Sequence, residues 1–332
     1  MTTKIFHMEL YPLKFKPILK DRIWGGNKLN TILGKEKTKS VVGESWELSG
    51  VDGDQSVVAN GFLKGNTLEE IIEIYMGELV GDAIYENYGT TFPLLFKFID
   101  ATDVLSIQVH PDDTLAMERH QAFGKTEMWY ILEAEPESEI IVGFKETTNA
   151  EAYTKHLNES KLVQLLNIEK AQSGDVFYIP AGRVHAIGKG ILLAEIQQTS
   201  DTTYRIYDWD RVDAKGKPRD LHTEWALDAI NYHCEAPYKT AYTSRVNDAV
   251  SLVDCDFFTT NLIELTQSIE NNYTMLDSFV VLMCVEGSVF IKMSNGTEEK
   301  LSKGETVLIP SVAELVQLIA ITPSKLIEVY MK

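Results

Sequence analysis

GDVFYIPAGRVH, residues 174–185, decides how this chain is read. Residues 175–179 are a β-rich, mostly apolar run, which predicts a strand. Pro180 removes the next backbone donor and Gly182 permits a conformation closed to residues with a Cβ, so the strand ends in a tight turn. His185 follows, at the mouth of whatever the strand belongs to. Working outward, GETVLIP at 304–310 repeats GDVFYIP at 174–180 with the same Gly-to-Pro spacing. In that copy Val312 stands in the place of Gly182 and Leu315 in that of His185. The pattern predicts a mainly β chain of two related barrels, the second keeping the framework without the histidine. A single β sandwich with a chance likeness is the alternative.

The 332 residues suffice for two compact domains, and 44% hydrophobic against 24% charged residues marks a globular chain with a sizeable core. A formal charge of −18 speaks against general binding to nucleic acid or to an anionic membrane, both of which need a basic footprint. An anionic small substrate would therefore require a local cluster of Lys and Arg. The opening MTTKIFHMELYPLKF holds no apolar core of signal-peptide length, and no run of about eighteen apolar residues occurs, so a cytoplasmic protein is expected. Met8 could equally be a start site. Cys234, Cys255 and Cys284 are odd in number and form no CxxC pair, which suits buried thiols in a reducing compartment.

Residues 11–62 read as short strands and turns, with Trp24-Gly25-Gly26 as punctuation. A capping box from Thr67 to Glu70 opens a helix to about Met76, and a second helix is expected over 82–88. Strands follow at 93–101, 105–110, 126–132 and 138–144, with a short helix after Pro111. The polar stretch 146–169 reads as a helical insert. After the central turn, 190–198 and 203–209 are strands, a helix starts near Leu221, and Pro237 marks a boundary. The expected domains are 1–236, an N-terminal segment plus the first barrel, and 237–332, the degenerate barrel.

The strand LSIQVH turns Gln108 and His110 to one face, Glu127 lies on the next strand, and His185 follows the turn. Two imidazoles, one carboxylate and one amide suit a borderline divalent ion such as zinc, and a single formal negative charge leaves that ion a strong Lewis acid. Lys97 lies on the strand before Gln108. Lys125 is two residues before Glu127 and can share its face, while Arg205 lies beyond His185 with Asp201 four residues before it. These are the charges that can hold a phosphate and steady a developing oxyanion. His120, His156 and His222 sit in or at predicted helices, where hydrogen bonding or capping is the ordinary job, and His7 and His233 suggest no role. Trp129, Tyr130, Phe177 and Tyr178 are expected in the core.

The spacing of glycines, proline and histidine in 174–185 resembles the second motif of the cupin β-barrels, whose histidine is a metal ligand. LSIQVHPDD, FGKTEMWYIL, GDVFYIPAGRVHAIG and QTSDTTYRIYDWDR, in that order, resemble the type I mannose-6-phosphate isomerase family. PLKFKPILKDRIWGGNKL and GESWELS resemble its short bacterial members. The resemblance implies a zinc enzyme of cupin fold, with one Zn2+ per chain, that interconverts mannose 6-phosphate and fructose 6-phosphate. It implies Gln108, His110, Glu127 and His185 as metal ligands, Arg205 as the catalytic arginine, Lys125 as an active-site lysine, and Lys97 and Asp201 as further active-site residues. A monomer or weak homodimer is expected. Longer members carry a substantial helical domain before the central turn, where this chain has only 146–169.

Moving a carbonyl between neighbouring sugar carbons requires taking a proton from one and returning it to the other through an enediol. Arg205 is expected to stabilise the enediolate charge, and one of Lys125, Glu195 or Asp201 to carry the proton. A cupin metal-dependent oxygenase, using two His and a carboxylate around iron, is the rival among enzymes. A sugar-binding or regulatory cupin without turnover is the rival outside them.

Overall fold

The computed structural model describes residues 9–38, 41–212 and 215–332. His7 and Met8 lie outside the described residues. The linear sequence suggests 1–236 followed by 237–332, but compactness groups the chain discontinuously. Pro17–Asp54 with Pro93–Ala241 form one unit, and the segments up to Lys16, Gln55–Phe92 and Tyr242–Lys332 form the other. Pairing explains the exchange: strand Leu13–Lys14 adds to Thr306–Ile309, and Phe15 bridges Val58.

The first unit is a sandwich of two antiparallel sheets. One carries six strands in the order Ile18–Gly26, Val42–Leu48, Leu94–Ala101, Ile191–Gln198, Glu127–Ala134 and Val176–Ile179. The other carries five, in the order Tyr204–Tyr207, Ile107–Val109, His185–Ile187, Glu139–Phe144 and Leu166–Lys170. Because side chains alternate along a strand, each sheet serves two environments. Ile99, Leu193, Trp129, Ile131, Val142 and Ile187 meet between the sheets. Ile107, Val109, Ile141 and Tyr204 pack outward with Tyr153 of helix Ala150–Asn158 and Ala226 of helix Thr223–Ala229.

The second unit repeats the plan. Its sheets run Leu13–Lys14, Thr306–Ile309, Val280–Glu286, Ser324–Tyr330, Thr259–Leu265, Ala249–Asp254, and Ile269–Asn272, Leu315–Ala320, Ser288–Met293, Glu298–Ser302. The registers correspond: Trp129 faces Phe177 as Leu282 faces Val307, and Gln108 faces His185 as Asn272 faces Leu315. Gly174, Gly182 and Gly304 all adopt positive φ, of 89°, 86° and 84°. Val312 is absent from the positive-φ residues, so the second turn has no need of glycine there. The chain is therefore mainly β and of cupin fold, with two barrels as the repeat implies.

Helix Leu68–Tyr75 starts at the expected capping box, with Thr67 and Glu70 bonded reciprocally, and helix Asp82–Tyr88 has its expected bounds. Two local expectations are corrected. The stretch 146–169 is helical only over Ala150–Asn158 and a 3-10 turn at Leu162–Gln164; Leu166–Lys170 is an edge strand, recruited by pairing with Glu139–Phe144. Trp24-Gly25-Gly26 is the end of a nine-residue strand rather than a turn. At Gly25 and Gly43 an added Cβ would lie 2.5 Å from neighbouring atoms, so close strand approach, not turning, accounts for these glycines. Among the described residues no helix is long and apolar enough to cross a membrane.

Candidate active site

The inward face of the six-stranded sheet changes character along its strands. Ile99 and Leu193 belong to the core, whereas Lys97 and Glu195, two residues further along the same face, are opposed across neighbouring strands. Trp46 faces Lys97 and Trp129 faces Glu195, giving one cross-strand row of Trp46, Lys97, Glu195 and Trp129. Glu127 opens its strand and faces Gln197 and Ile179. On the five-stranded sheet, Arg205, Gln108 and His185 are likewise opposed in a row. His110 comes just past the end of its strand. The two polar rows thus bring together the residues expected from sequence.

His110, Glu127 and His185 are fully buried and offer ligand atoms within 4.8 Å of one another. Both imidazoles are oriented by backbone carbonyls, His110 Nδ1 by Thr202 O at 3.0 Å and His185 Nδ1 by Arg183 O at 2.9 Å, so both Nε2 atoms turn to the cluster. His110 Nε2 and His185 Nε2 each lie 3.5 Å from a Glu127 oxygen, and Gln108 places its amide nitrogen position 3.2 Å from His185 Nε2. Among the described residues His110 Nε2 and both Glu127 oxygens have no hydrogen-bond partner. Lys125 Nζ is 3.5 Å from Glu127 Oε2. Three buried polar atoms converging without hydrogen-bond partners among the described residues are an unmet demand that a divalent cation could satisfy. The amide of Gln108 offers oxygen in the same place once its two ends are exchanged by rotation of the side-chain amide.

Electrostatics agree with that fit. Burial, reinforced by the charges of Lys125 and His185, holds His110 well below the ordinary imidazole range, and burial lowers His185 to about 4. Both rings are therefore neutral at neutral pH, the form in which an imidazole can bind a metal. Burial and the charge of Glu195 push the Glu127 carboxyl up, whereas Glu195, despite its burial, is held down by Lys97 and Lys125. A cation held at the cluster would favour the carboxylate form of Glu127.

A cavity of about 500 Å³ opens beside the cluster, lined by Gln108, Lys97, Lys125, Glu195, Asp201 and Arg205. Lys97 is 95% buried; its Nζ donates to Glu195 Oε1 at 2.8 Å and Gln197 Oε1 at 2.5 Å. Trp129 Nε1 donates to the other Glu195 oxygen at 2.9 Å. Arg205 donates from Nη1 to Asp220 O at 3.0 Å, while its buried Nε has no hydrogen-bond partner among the described residues. Asp201 is exposed at the cavity wall. Trp129 and Phe177 lie in the core as expected, Trp129 edge-on to His185 with ring centroids 5.3 Å apart.

Sequence reasoning missed Arg22, Glu44, Trp46 and Arg219, which line the same cavity. Arg22 Nε and Trp46 Nε1 each donate to Glu44 at 2.7 Å, and Lys97 Nζ lies 5.3 Å from the Trp46 ring centroid. The alternation of Glu44 and Trp46 was the available signal, since residues two apart in a strand share a face. Arg219 lies in a loop, bonded to Asp208 beside Arg211, and no local pattern marks it.

Two-sheet barrels, one enclosing a buried His-Glu-His cluster beside a cationic cavity, define a cupin with a metal-type site. A family model described as phosphomannose isomerase type I, catalytic domain, matches residues 12–154. Mannose-6-phosphate isomerase ManA of Bacillus subtilis is 38% identical over 91% of this chain and 94% of its own length. Mannose-6-phosphate isomerase of Streptococcus mutans is 35% identical over 90% of this chain and 92% of its own. The crystal structure of mannose 6-phosphate isomerase from Bacillus subtilis aligns with a TM-score of 0.86 at 32% identity, over 96% of this chain and 99% of that one. The chain belongs to the type I phosphomannose isomerase family.

Proposed function

We propose that the protein interconverts mannose 6-phosphate and fructose 6-phosphate, with one zinc ion held by Gln108, His110, Glu127 and His185. The observation that carries this reading is the convergence of three buried ligand atoms without hydrogen-bond partners beside a cavity faced by Arg205 and Lys125. When bound, zinc supplies Lewis acidity toward a sugar oxygen. The reaction moves one hydrogen from carbon 2 to carbon 1, and one from the oxygen on carbon 2 to that on carbon 1, through an enediol. Arg205 stabilises negative charge developing on oxygen, its guanidinium being tied to a backbone carbonyl rather than to a carboxylate. Glu195 serves as a fixed anion, since both its oxygens are engaged by Lys97 and Trp129. That leaves Lys125 and Asp201 as proton carriers, and Lys125, buried next to Glu127, is the better placed. Arg22 and Arg219 add the charge that draws a phosphate into an otherwise acidic protein.

The test is interconversion of the two sugar phosphates by purified protein, before chelation, after it, and after zinc is returned. Loss on chelation and recovery with zinc is the expected result. Folded, zinc-loaded protein without turnover would remove the isomerase reading.

A further inference from the structure

We infer that His222 is a positioning residue for Arg205: by closing the open edge of the strand that carries the arginine, it fixes where the guanidinium enters the cavity. The inference rests on the reading of Arg205 given above. Tyr204–Tyr207 is the outermost strand of its sheet, and Arg205 stands opposite Gln108. On an edge strand the outward backbone groups have no ladder partner. Here one residue meets both. His222 N donates to Arg205 O at 2.7 Å, and Arg205 N donates to His222 Nδ1 at 3.1 Å. The imidazole stands in for the carbonyl of a missing strand. Asp220 O, two residues earlier, accepts from Arg205 Nη1 at 3.0 Å, so residues 220–222 hold the arginine at three points.

The side chain of His222 is diverted from its ordinary task to do this. His222 precedes helix Thr223–Ala229, where a polar side chain usually caps the first turn, yet it makes no capping bond. Its ring instead lies flat on Trp225, with centroids 5.7 Å apart and planes 12° apart. Trp225 in turn meets the rings of Tyr204 and His120 at 5.7 and 5.4 Å. Helix packing therefore sets the orientation of the ring. Accepting at Nδ1 requires a neutral imidazole with its proton on Nε2. Burial, followed by the charge of Arg205, shifts His222 below its usual range and keeps it in that form. A guanidinium so anchored is displaced when the clasp is lost, and misplacement by about 1 Å costs on the order of 10²-fold in rate.

The test compares the zinc-loaded full chain with its R205A, H222F and H222N variants. H222F keeps the stack on Trp225 and lacks the acceptor; H222N restores an acceptor oxygen. The expected result for H222F is a kcat reduced roughly 10- to 100-fold, with KM and zinc content near those of the parent. Hydrogen exchange at the Arg205 amide, followed by NMR, is faster in H222F. H222N recovers most of both. Parent-like kcat and exchange in H222F would overturn the inference, as would an H222N as impaired as H222F, or unfolding or zinc loss in both variants. A parent without isomerase activity, or an R205A variant at the parent rate, overturns the underlying reading of Arg205; the exchange rates of H222F and H222N then still decide whether the clasp exists.

Discussion

Glu328 occupies in the second unit the register position that Glu195 occupies in the first. Glu195 stands between Trp129 and Lys97 on neighbouring strands, and Glu328 between Leu282 and Asn261. Both carboxylates are buried, but their partners have diverged. Glu195 is met by an ammonium and an indole, whereas Glu328 is met by Asn261 at 2.8 Å, Asn271 at 3.1 Å and the Tyr273 hydroxyl at 2.5 Å. Three neutral donors have replaced a counter-ion, which is one of the ways a buried charge remains tolerable. Burial, with the charge of Glu328, raises the Tyr273 hydroxyl well above its ordinary range and keeps it a donor.

Removing that donor should destabilise the second unit without touching the chemistry. Tyr273→Phe leaves a buried carboxylate short of one hydrogen bond, a loss of about 1.5–3 kcal/mol for a bond to a charged group. Urea unfolding of Tyr273→Phe should register that loss, while zinc content and turnover of the folded protein stay at the parent values. Reduced turnover at unchanged stability would mean that the network serves the site.

Arg205→Ala separates charge stabilisation from metal binding. Loss of one stabilising group at a developing oxyanion costs roughly 10²–10³-fold in kcat. Arg205 is not among the buried ligand atoms, so zinc content should hold. Metal analysis and kinetics on the same preparation check this, and loss of both together would count against the role assigned to Arg205.

What the sequence made legible was what local rules govern. The capping box at Thr67, the alternation of Gln108 with Ile107 and Val109, and the Gly-to-Pro repeat each follow from spacing within a few residues, and each has its expected structural form. Leu166–Lys170 escaped because an edge strand of which only Leu166 is buried takes its conformation from its neighbour, not from its own apolar pattern. The wall made by Arg22, Glu44 and Trp46 escaped because it depends on a pairing between residues 44–46 and 97–99, which no short window contains. His222 was legible as a hydrogen-bonding residue at a helix start; its partner, seventeen residues upstream, was not.

Asp208 gives a pH dependence with a definite sign. Burial alone would raise this carboxyl, but hydrogen bonds from Arg219 and Arg211 outweigh it and leave it below its ordinary value. A depressed folded-state value stabilises the fold above the unfolded carboxylate range, near 3.9, and the benefit fades as pH falls through the folded value. Asp208→Asn should therefore unfold at lower temperature than the parent at pH 7, with the gap closing on acidification. Because Arg219 lines the cavity, the variant should also raise KM for the sugar phosphate. A gap in melting temperature that widens toward pH 3 would contradict the assignment.

The registers also limit where metal can bind. Val280 faces Ile309 as Glu127 faces Ile179, and Leu315 faces Asn272 as His185 faces Gln108, so the second unit has an apolar residue at two of the proposed ligand positions. Restoring the histidine alone supplies one imidazole beside an amide, without the carboxylate, and a stable site needs three or four donors. Metal analysis should give one zinc per chain for the parent, weaker zinc binding for His185→Ala, which drops from four donors to three, and still one zinc for Leu315→His. A second equivalent in Leu315→His would show that the two barrels correspond in a register other than the one their strand pairing implies.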